Sequence, residues 1–250
     1  IAFAKAEILE GLPRGATLYV PQSVAEGDVL AAQAKKYRSK VKKVAVSKKS
    51  NLQVLSASPQ GFALQVQGER TRFRHANAAW LSNLAISAEV ALDAGLNPEH
   101  IAKAIGQFRP AAGRMQLRRG RLTVIDDGYN ANPDSAIASI DSAMLLAAGK
   151  PVVCVFGEFK ELGRHSKALH SLTGAEAAAK GVTGFFAMGN DMRHAVAAFK
   201  KAAPRRASGW FDRADTAGLV QALQQYARGT IVLVKGSRSM KMEEIVELLV

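Results

Sequence analysis

Residues 122–135 read Leu122-Thr123-Val124-Ile125-Asp126-Asp127-Gly128-Tyr129-Asn130-Ala131-Asn132-Pro133-Asp134-Ser135. The four residues 122–125 have the β-branched, apolar character of a buried strand. Asn132 suits a helix N-cap, Pro133 suits the first helical position, and an apolar-periodic run continues to residue 147. Two carboxylates and two amides therefore fall where a strand ends and a helix begins. In open α/β sheets that is the edge at which ligands bind. Free N–H groups of a helix start, with acids beside them, suit a phosphorylated ligand and its metal. From the residues alone, a capped turn with solvated acids accounts for the stretch equally well.

The same alternation repeats downstream. Strands are predicted at 122–125, 152–156, 185–188 and 231–234, and helices at 135–147, 166–180, 192–202, 216–227 and 240–249. Strands alternating with helices across short Gly-bearing turns imply right-handed βαβ units and a mainly parallel sheet. Upstream the pattern differs. Helix is predicted over 4–12 and 25–37 and strand over 17–20 and 41–46. Residues 52–73 alternate as antiparallel strands broken at Ser58-Pro59-Gln60-Gly61, and two helices follow at 75–94 and 98–108. Arg109-Pro110-Ala111-Ala112-Gly113-Arg114 is the candidate linker, which divides the chain into residues 1–112 and 113–250.

Composition narrows the partners. The chain has 250 residues, is 48% hydrophobic and carries a formal charge of +13, which favours anionic ligands. Basic residues cluster at Lys35 to Lys43, Arg114 to Arg121, and Lys200 to Arg206. Aromatic residues make up 6% and form no stacking array near these clusters, which argues against single-stranded nucleic acid as the partner. No apolar run approaches the ~18 residues of a membrane span. Cys154 is the single cysteine and sits in an apolar strand, so no internal disulfide exists and the cytoplasm is the expected compartment. Ile1 in place of Met reads as a fragment or a processed chain.

Several stretches, in order, resemble the Mur ligase family. Ala4-Lys5-Ala6-Glu7-Ile8 with Glu10-Gly11-Leu12-Pro13 resembles its "AKGEI-EGLP" stretch. Asn83-Leu84-Ala85 resembles the "NALAA" helix, and Pro110-Ala111-Ala112-Gly113-Arg114 the "P-x-x-GR" entry to the last domain. Asp126 to Pro133 resembles "DDSYNANP". Phe156-Gly157-Glu158 with Glu161-Leu162-Gly163 and Ala168-Leu169-His170 resembles "LGDM-ELG-ALH". Lys235-Gly236-Ser237-Arg238-Ser239-Met240 resembles "KGSRSM". Gly128 stands where the family has Ser or Thr, and Glu158 replaces an Asp. Ala79 and Trp80 occupy the His and Asn places of the family's "GRHN".

The resemblance implies an α/β architecture: part of a central ATP-binding domain over 1–112, then a Rossmann-like C-terminal domain with a mainly parallel sheet over 113–250. It implies ATP-dependent amide formation in peptidoglycan precursor synthesis. The wording Tyr129-Asn130-Ala131-Asn132-Pro133 favours the branch that adds D-Ala-D-Ala to UDP-MurNAc-tripeptide through an acyl phosphate. Lys5 matches the lysine that is carbamylated to become a Mg²⁺ ligand, and Arg114 the interdomain arginine that contacts ATP phosphate. Asn83 falls on the adenine side and Asp127 at the ribose, and Tyr129, Asn130 and Asn132 line the cleft. Lys235, Ser237, Arg238 and Glu158 are the implied substrate contacts, with Lys160 and Glu161 beside them. His170 reads as a packed or capping residue. A monomer, with no nucleic-acid partner, is implied.

No G-x-x-x-x-G-K-[ST] loop occurs in the 250 residues, so the chain by itself is expected not to turn over ATP. Two alternatives are a Mur-like ligase of the folylpolyglutamate type and a noncatalytic basic module that binds nucleotide or nucleic acid.

Overall fold

A computed structural model describes residues 2–24, 26–75 and 77–250. Contacts divide the chain into two compact units. One comprises residues 1–57, 62–74 and 80–108, and the other residues 58–61, 75–79 and 109–250.

The first unit opens with a short helix α1 (Ala2–Ala6) that tightens into a 3₁₀ stretch, Glu7–Gly11. The helix predicted over 4–12 is thus divided: α1 ends at Ala6. Strands β1 (Thr17–Pro21) and β2 (Lys40–Val44) pair in parallel through the crossover helix α2 (Gly27–Lys36), with Thr17 opposite Lys40 and Pro21 opposite Val44. The first residue predicted for that helix, Ala25, lies outside the described residues. A small core of Ala6, Leu9, Val20, Leu30 and Ala34 holds these elements together.

Strands β3 (Leu52–Ser58), β4 (Gly61–Val66) and β5 (Glu69–Phe73) form a second sheet in that order. The β4–β5 turn has both central residues at positive φ, Gln67 at 43° and Gly68 at 98°. That geometry matches the twist of an antiparallel pair, and glycine adopts it freely. Phe62, Leu64 and Val66 point one way at the two-residue period of a strand and pack on helices α3 (Ala79–Asp93) and α4 (Pro98–Gln107). Asn97 caps α4, accepting from the Glu99 amide at 2.8 Å with Pro98 behind it. The helix predicted from residue 75 begins at Ala79; Ala76, within the predicted span, lies outside the described residues. One basic cluster is partly neutralised here. Lys42 on β2 meets Glu89 at 2.8 Å and Asp93 at 2.7 Å on α3, and these hydrogen bonds hold its ammonium above the ordinary lysine range.

The second unit is a six-stranded sheet in the order β10-β9-β8-β11-β7-β6. Five strands are parallel: β7 (Thr123–Asp127), β8 (Val152–Gly157), β9 (Gly184–Met188), β10 (Ala207–Phe211) and β11 (Ile231–Lys235). Only β6 (Gln116–Arg119) runs antiparallel, against β7. Alternate strand residues feed two cores. Cys154, Phe156, Phe185 and Leu233 pack with α5 (Pro133–Ala147), α6 (Ser166–Ala179) and α7 (Met192–Ala202). Val153, Val155, Val232 and Val234 pack with α8 (Thr216–Leu223) and α9 (Met242–Leu249). Burial on both faces explains why these strands read as unbroken apolar runs. Burial also pushes the Cys154 thiol far up, so it stays protonated and inert.

Two strands escape the sequence reading. β6 is an exposed edge of mostly polar residues, and β10 is an edge strand only partly buried. In this unit the helix ends depart most from the prediction at α8 and α9. α8 stops at Leu223 because the Arg121 guanidinium takes the Leu223 carbonyl at 3.3 Å and the Tyr226 carbonyl at 2.7 Å. α9 begins at Met242, not at residue 240, because a 3₁₀ turn (Arg238–Met240) and Lys241 at φ 48° precede it.

Candidate active site

β7, β8, β9 and β11 are parallel neighbours, so their carboxyl ends share one edge of the sheet. From that edge β7 and β8 continue into α5 and α6 on one face, while β11, which lies between them, continues into α9 on the other. Adjacent loops therefore part on each side of β11, and a divergence of this kind is where open α/β sheets hold ligands.

Asp127 and Lys235 are register partners across β7 and β11. Their side chains meet at 2.6 Å, with 11% and 4% of their side-chain surface exposed. The same Asp127 oxygen accepts from Ser139 at 2.6 Å, and the other accepts from the Met115 amide at 3.2 Å. Lys235 also donates to the Asn130 carbonyl at 3.1 Å, which leaves it one ammonium hydrogen. The next acid, Asp126, takes the Gly128 amide at 3.1 Å and so closes the turn, and its burial raises its pKa above the usual carboxylate value. Asn130 folds onto the neighbouring amide, its Oδ1 accepting from Ala131 N at 2.9 Å. Asn132 forms a capping box with Ser135: its Oδ1 accepts from Ser135 N at 2.7 Å, and Ser135 Oγ accepts from Asn132 N at 3.0 Å.

Tyr129 is nearly half exposed, anchored by its amide to the Gly113 carbonyl at 3.0 Å. Two guanidinium groups share its ring, Arg114 at 4.5 Å and Arg238 at 5.9 Å from the centroid. Arg238 also pairs with Glu243 at 2.8 Å. Arg114 is exposed and has no carboxylate partner among the described residues, so it is a cation held by a ring and open to an anion.

The turn leaving β8 is bound to both neighbouring turns. Ser237 Oγ accepts from Lys160 N at 2.8 Å, and Ser237 N donates to the Glu158 carbonyl at 3.3 Å. Glu158 accepts from Asn190 N at 3.1 Å, beyond β9, and pairs with Lys160 at 2.9 Å. Arg193 and Trp210 border this corner. Trp210 Nε1 donates to the Gly189 carbonyl at 2.7 Å, and Arg193 lies 5.2 Å from the Trp210 ring.

The structure thus joins Asp127, Lys235 and the Asn130 carbonyl in one hydrogen-bonded network, Arg114, Tyr129 and Arg238 in one exposed stack, and Glu158 with Ser237 in one pinned turn. Lys5 and Asn83 belong to the first unit. Lys5 is exposed near the end of α1. Asn83 lies on the rim of a cavity of about 330 Å³ between α3 and α4, with Trp80, Ser87, His100 and Phe108. Sequence reasoning missed Ser139, Asn190, Arg193 and Trp210. Ser139 had a visible signal, being a hydroxyl within the apolar period of α5; the other three depend on strand order.

The fold is an open α/β domain whose carboxyl edge carries the buried Asp127–Lys235 pair and, among the described residues, a guanidinium without an acid partner, Arg114. A family model described as "Mur ligase, glutamate ligase domain" matches residues 113–238. The chain belongs to the Mur ligase family. It is 28% identical over 254 residues, 99% of its own length, to the UDP-N-acetylmuramoyl-tripeptide–D-alanyl-D-alanine ligase of Bacillus subtilis, of which it covers 54%. A crystal structure of MurF from Acinetobacter baumannii superposes with a TM-score of 0.76 at 25% identity, covering 99% of this chain and 55% of that one. MurF ligase from Thermotoga maritima, crystallised in complex with ADP, shares the fold, with a TM-score of 0.77 at 19% identity over 98% of this chain and 55% of that one. The chain spans about half the length of these proteins.

Proposed function

We propose that this chain serves an ATP-dependent amide ligase that adds D-Ala-D-Ala to UDP-MurNAc-tripeptide in the cytoplasm, by way of an acyl phosphate. Residues 1–112 act as the later part of the ATP-binding central domain and 113–250 as the C-terminal domain. The MurF relatives support the substrate assignment. The single observation that carries the site is Arg114, a guanidinium preset on the Tyr129 ring and paired with no acid among the described residues.

Joining a carboxylate to the γ-phosphate of ATP brings anions together, so positive charge must meet the phosphate as the bond forms. Arg114 has the planar fork to contact two phosphate oxygens at once, and Arg238 lies within 5.9 Å of the same ring. Asp127 offers its remaining lone pair to a ribose hydroxyl, with its charge balanced by Lys235. Asn83 offers an amide beside the aromatic wall of Trp80 and Phe108, a surface suited to the flat face and polar edge of an adenine. The Glu158–Lys160 turn, with Ser237, meets the incoming dipeptide amine.

Mg²⁺ would balance the phosphate charge. Lys5 fits one part of its shell, because carbamylation turns an ammonium with donors only into an oxygen ligand. One such ligand is not a shell, and among the described residues no three His, Cys, Asp or Glu side chains cluster to complete it.

The test uses the full reading frame that carries this chain. With UDP-linked tripeptide and D-Ala-D-Ala, phosphate release should depend on both substrates. Arg114→Lys keeps the charge but loses the fork, and should lower kcat/KM for ATP by about a hundredfold. Turnover within threefold of the parent would remove Arg114 from the site. The 250 residues alone, which hold no phosphate loop, should release none.

A further inference from the structure

His170, on α6, is wholly buried, and the ligation chemistry above makes no use of it. Its Nδ1 lies 2.8 Å from the Ser166 carbonyl one turn earlier, and its Nε2 lies 3.2 Å from the Phe159 amide nitrogen. A carbonyl only accepts and an amide N–H only donates. One protonation state satisfies both: Nδ1 carries the proton and Nε2 is bare. The ring is also stacked on Phe159, with centroids 5.0 Å apart and planes 16° apart. Ser166 Oγ, 3.2 Å from Nδ1, donates to Asp191 and so closes the network on its far side.

Phe159 is the middle residue of Glu158-Phe159-Lys160. Its neighbours reach sideways, to Ser237 after β11 and to Asn190 after β9. The bond from His170 is anchored instead in the buried helix layer. It holds the turn from the helix side, beside the buried Phe159 ring, where the lateral bonds do not reach.

We infer that His170 is a positioning residue for the candidate active site: as the neutral Nδ1–H tautomer it holds the Phe159 amide, and so fixes the Glu158–Lys160 ion pair at the carboxyl edge of the sheet. The inference rests on the proposed contact between that turn and the incoming amine. A histidine that merely fills space would tolerate any side chain of similar volume. A positioning acceptor tolerates only one that accepts at Nε2.

Glutamine carries its amide oxygen to about the reach of Nε2, whereas asparagine stops near Nδ1. In this chain, His170→Asn should speed hydrogen exchange at the Phe159 amide at least about tenfold, and His170→Gln should stay within about threefold. Imidazole ¹⁵N shifts of the parent should show a protonated Nδ1 and a bare Nε2. Unchanged Phe159 exchange in His170→Asn, or a protonated Nε2 in the parent at neutral pH, overturns the inference. Should His170→Asn also loosen the Val153 and Phe185 amides of the core strands, the fold has yielded and the ¹⁵N shifts decide alone. In the full reading frame, His170→Asn should raise KM for D-Ala-D-Ala about tenfold with KM for ATP unchanged, and His170→Gln should restore it. A normal KM beside lost Phe159 protection overturns the positioning role. No turnover in the parent instead overturns the proposed ligation.

Discussion

Lys235 and Asp127 stand at the end of adjacent strands, where sequence suggests two independent ligand contacts. They are instead each other's partner at 2.6 Å, nearly out of solvent. Removing one member of such a pair strands the other charge in a medium that solvates it poorly. Lys235→Met should therefore destabilise the chain by about 3–5 kcal/mol, and Lys235→Met with Asp127→Leu should recover much of that loss. Urea denaturation of the two singles and the double measures it; an additive double would mean that the pair does not interact. His170 gives a second test at this scale. Burial outweighs the bond to the Ser166 carbonyl and the nearby Asp191 and Glu158 carboxylates, with His194 adding repulsion, and lowers its pKa below the ordinary 6.5. A base depressed in the fold binds its proton more readily when unfolded. Its contribution to stability is thus complete above about pH 6.5 and is lost as pH falls toward the folded value, with a slope of at most about 1.4 kcal/mol per pH unit. Asp126, raised by burial, slopes the other way. The profile of the parent minus that of His170→Gln isolates the histidine, and a flat difference from pH 7 to 5 would refute this.

At the scale of elements, α6 and α7 are packed backbone to backbone. Gly174 lies inside α6, where glycine costs about 1 kcal/mol relative to alanine. The reason is steric, since a Cβ there would stand 1.9 Å from the Ala195 carbonyl oxygen of α7. Gly174→Ala gains helix propensity yet should lose about 3 kcal/mol, because neither backbone can retreat without opening the core. A thermal melt reads it, and a raised Tm would show that α7 gives way freely. The helix and strand pattern of this unit was legible from its apolar periods, including the Asn132 cap and Pro133 start. The edge strands were not: β6 and β10 have half-wet faces, so their residues lack the apolar run on which the reading relied. Helix ends set by a distant group, such as Arg121 at the end of α8, were equally invisible.

For the whole molecule, each unit carries its own core, and residues 109–250 contain both faces of their sheet. Expressed alone, residues 109–250 should melt in one cooperative transition with dispersed amide NMR signals. A noncooperative melt would show that the core is incomplete without the remainder. Lys42, Lys180 and Lys235 face carboxylates, and because the formal charge of +13 already subtracts those acids, the basic excess lies on the other Lys and Arg side chains.

By itself the sequence determined what local chemistry determines: the alternating strands and helices, the helix start after Asp126-Asp127, and the ordered motifs that mark the family. These depend on period, capping and residue type over a few positions. Tertiary structure decided what each polar group has left to give. Sequence does not state that β11 inserts between β7 and β8, and that insertion pairs Lys235 with Asp127, sets Ser237 against the β8 turn and brings Arg238 to the Tyr129 ring. A hydrogen bond or ion pair uses up a donor wherever the partner lies in the chain. Which groups remain free for a ligand is therefore a property of strand order.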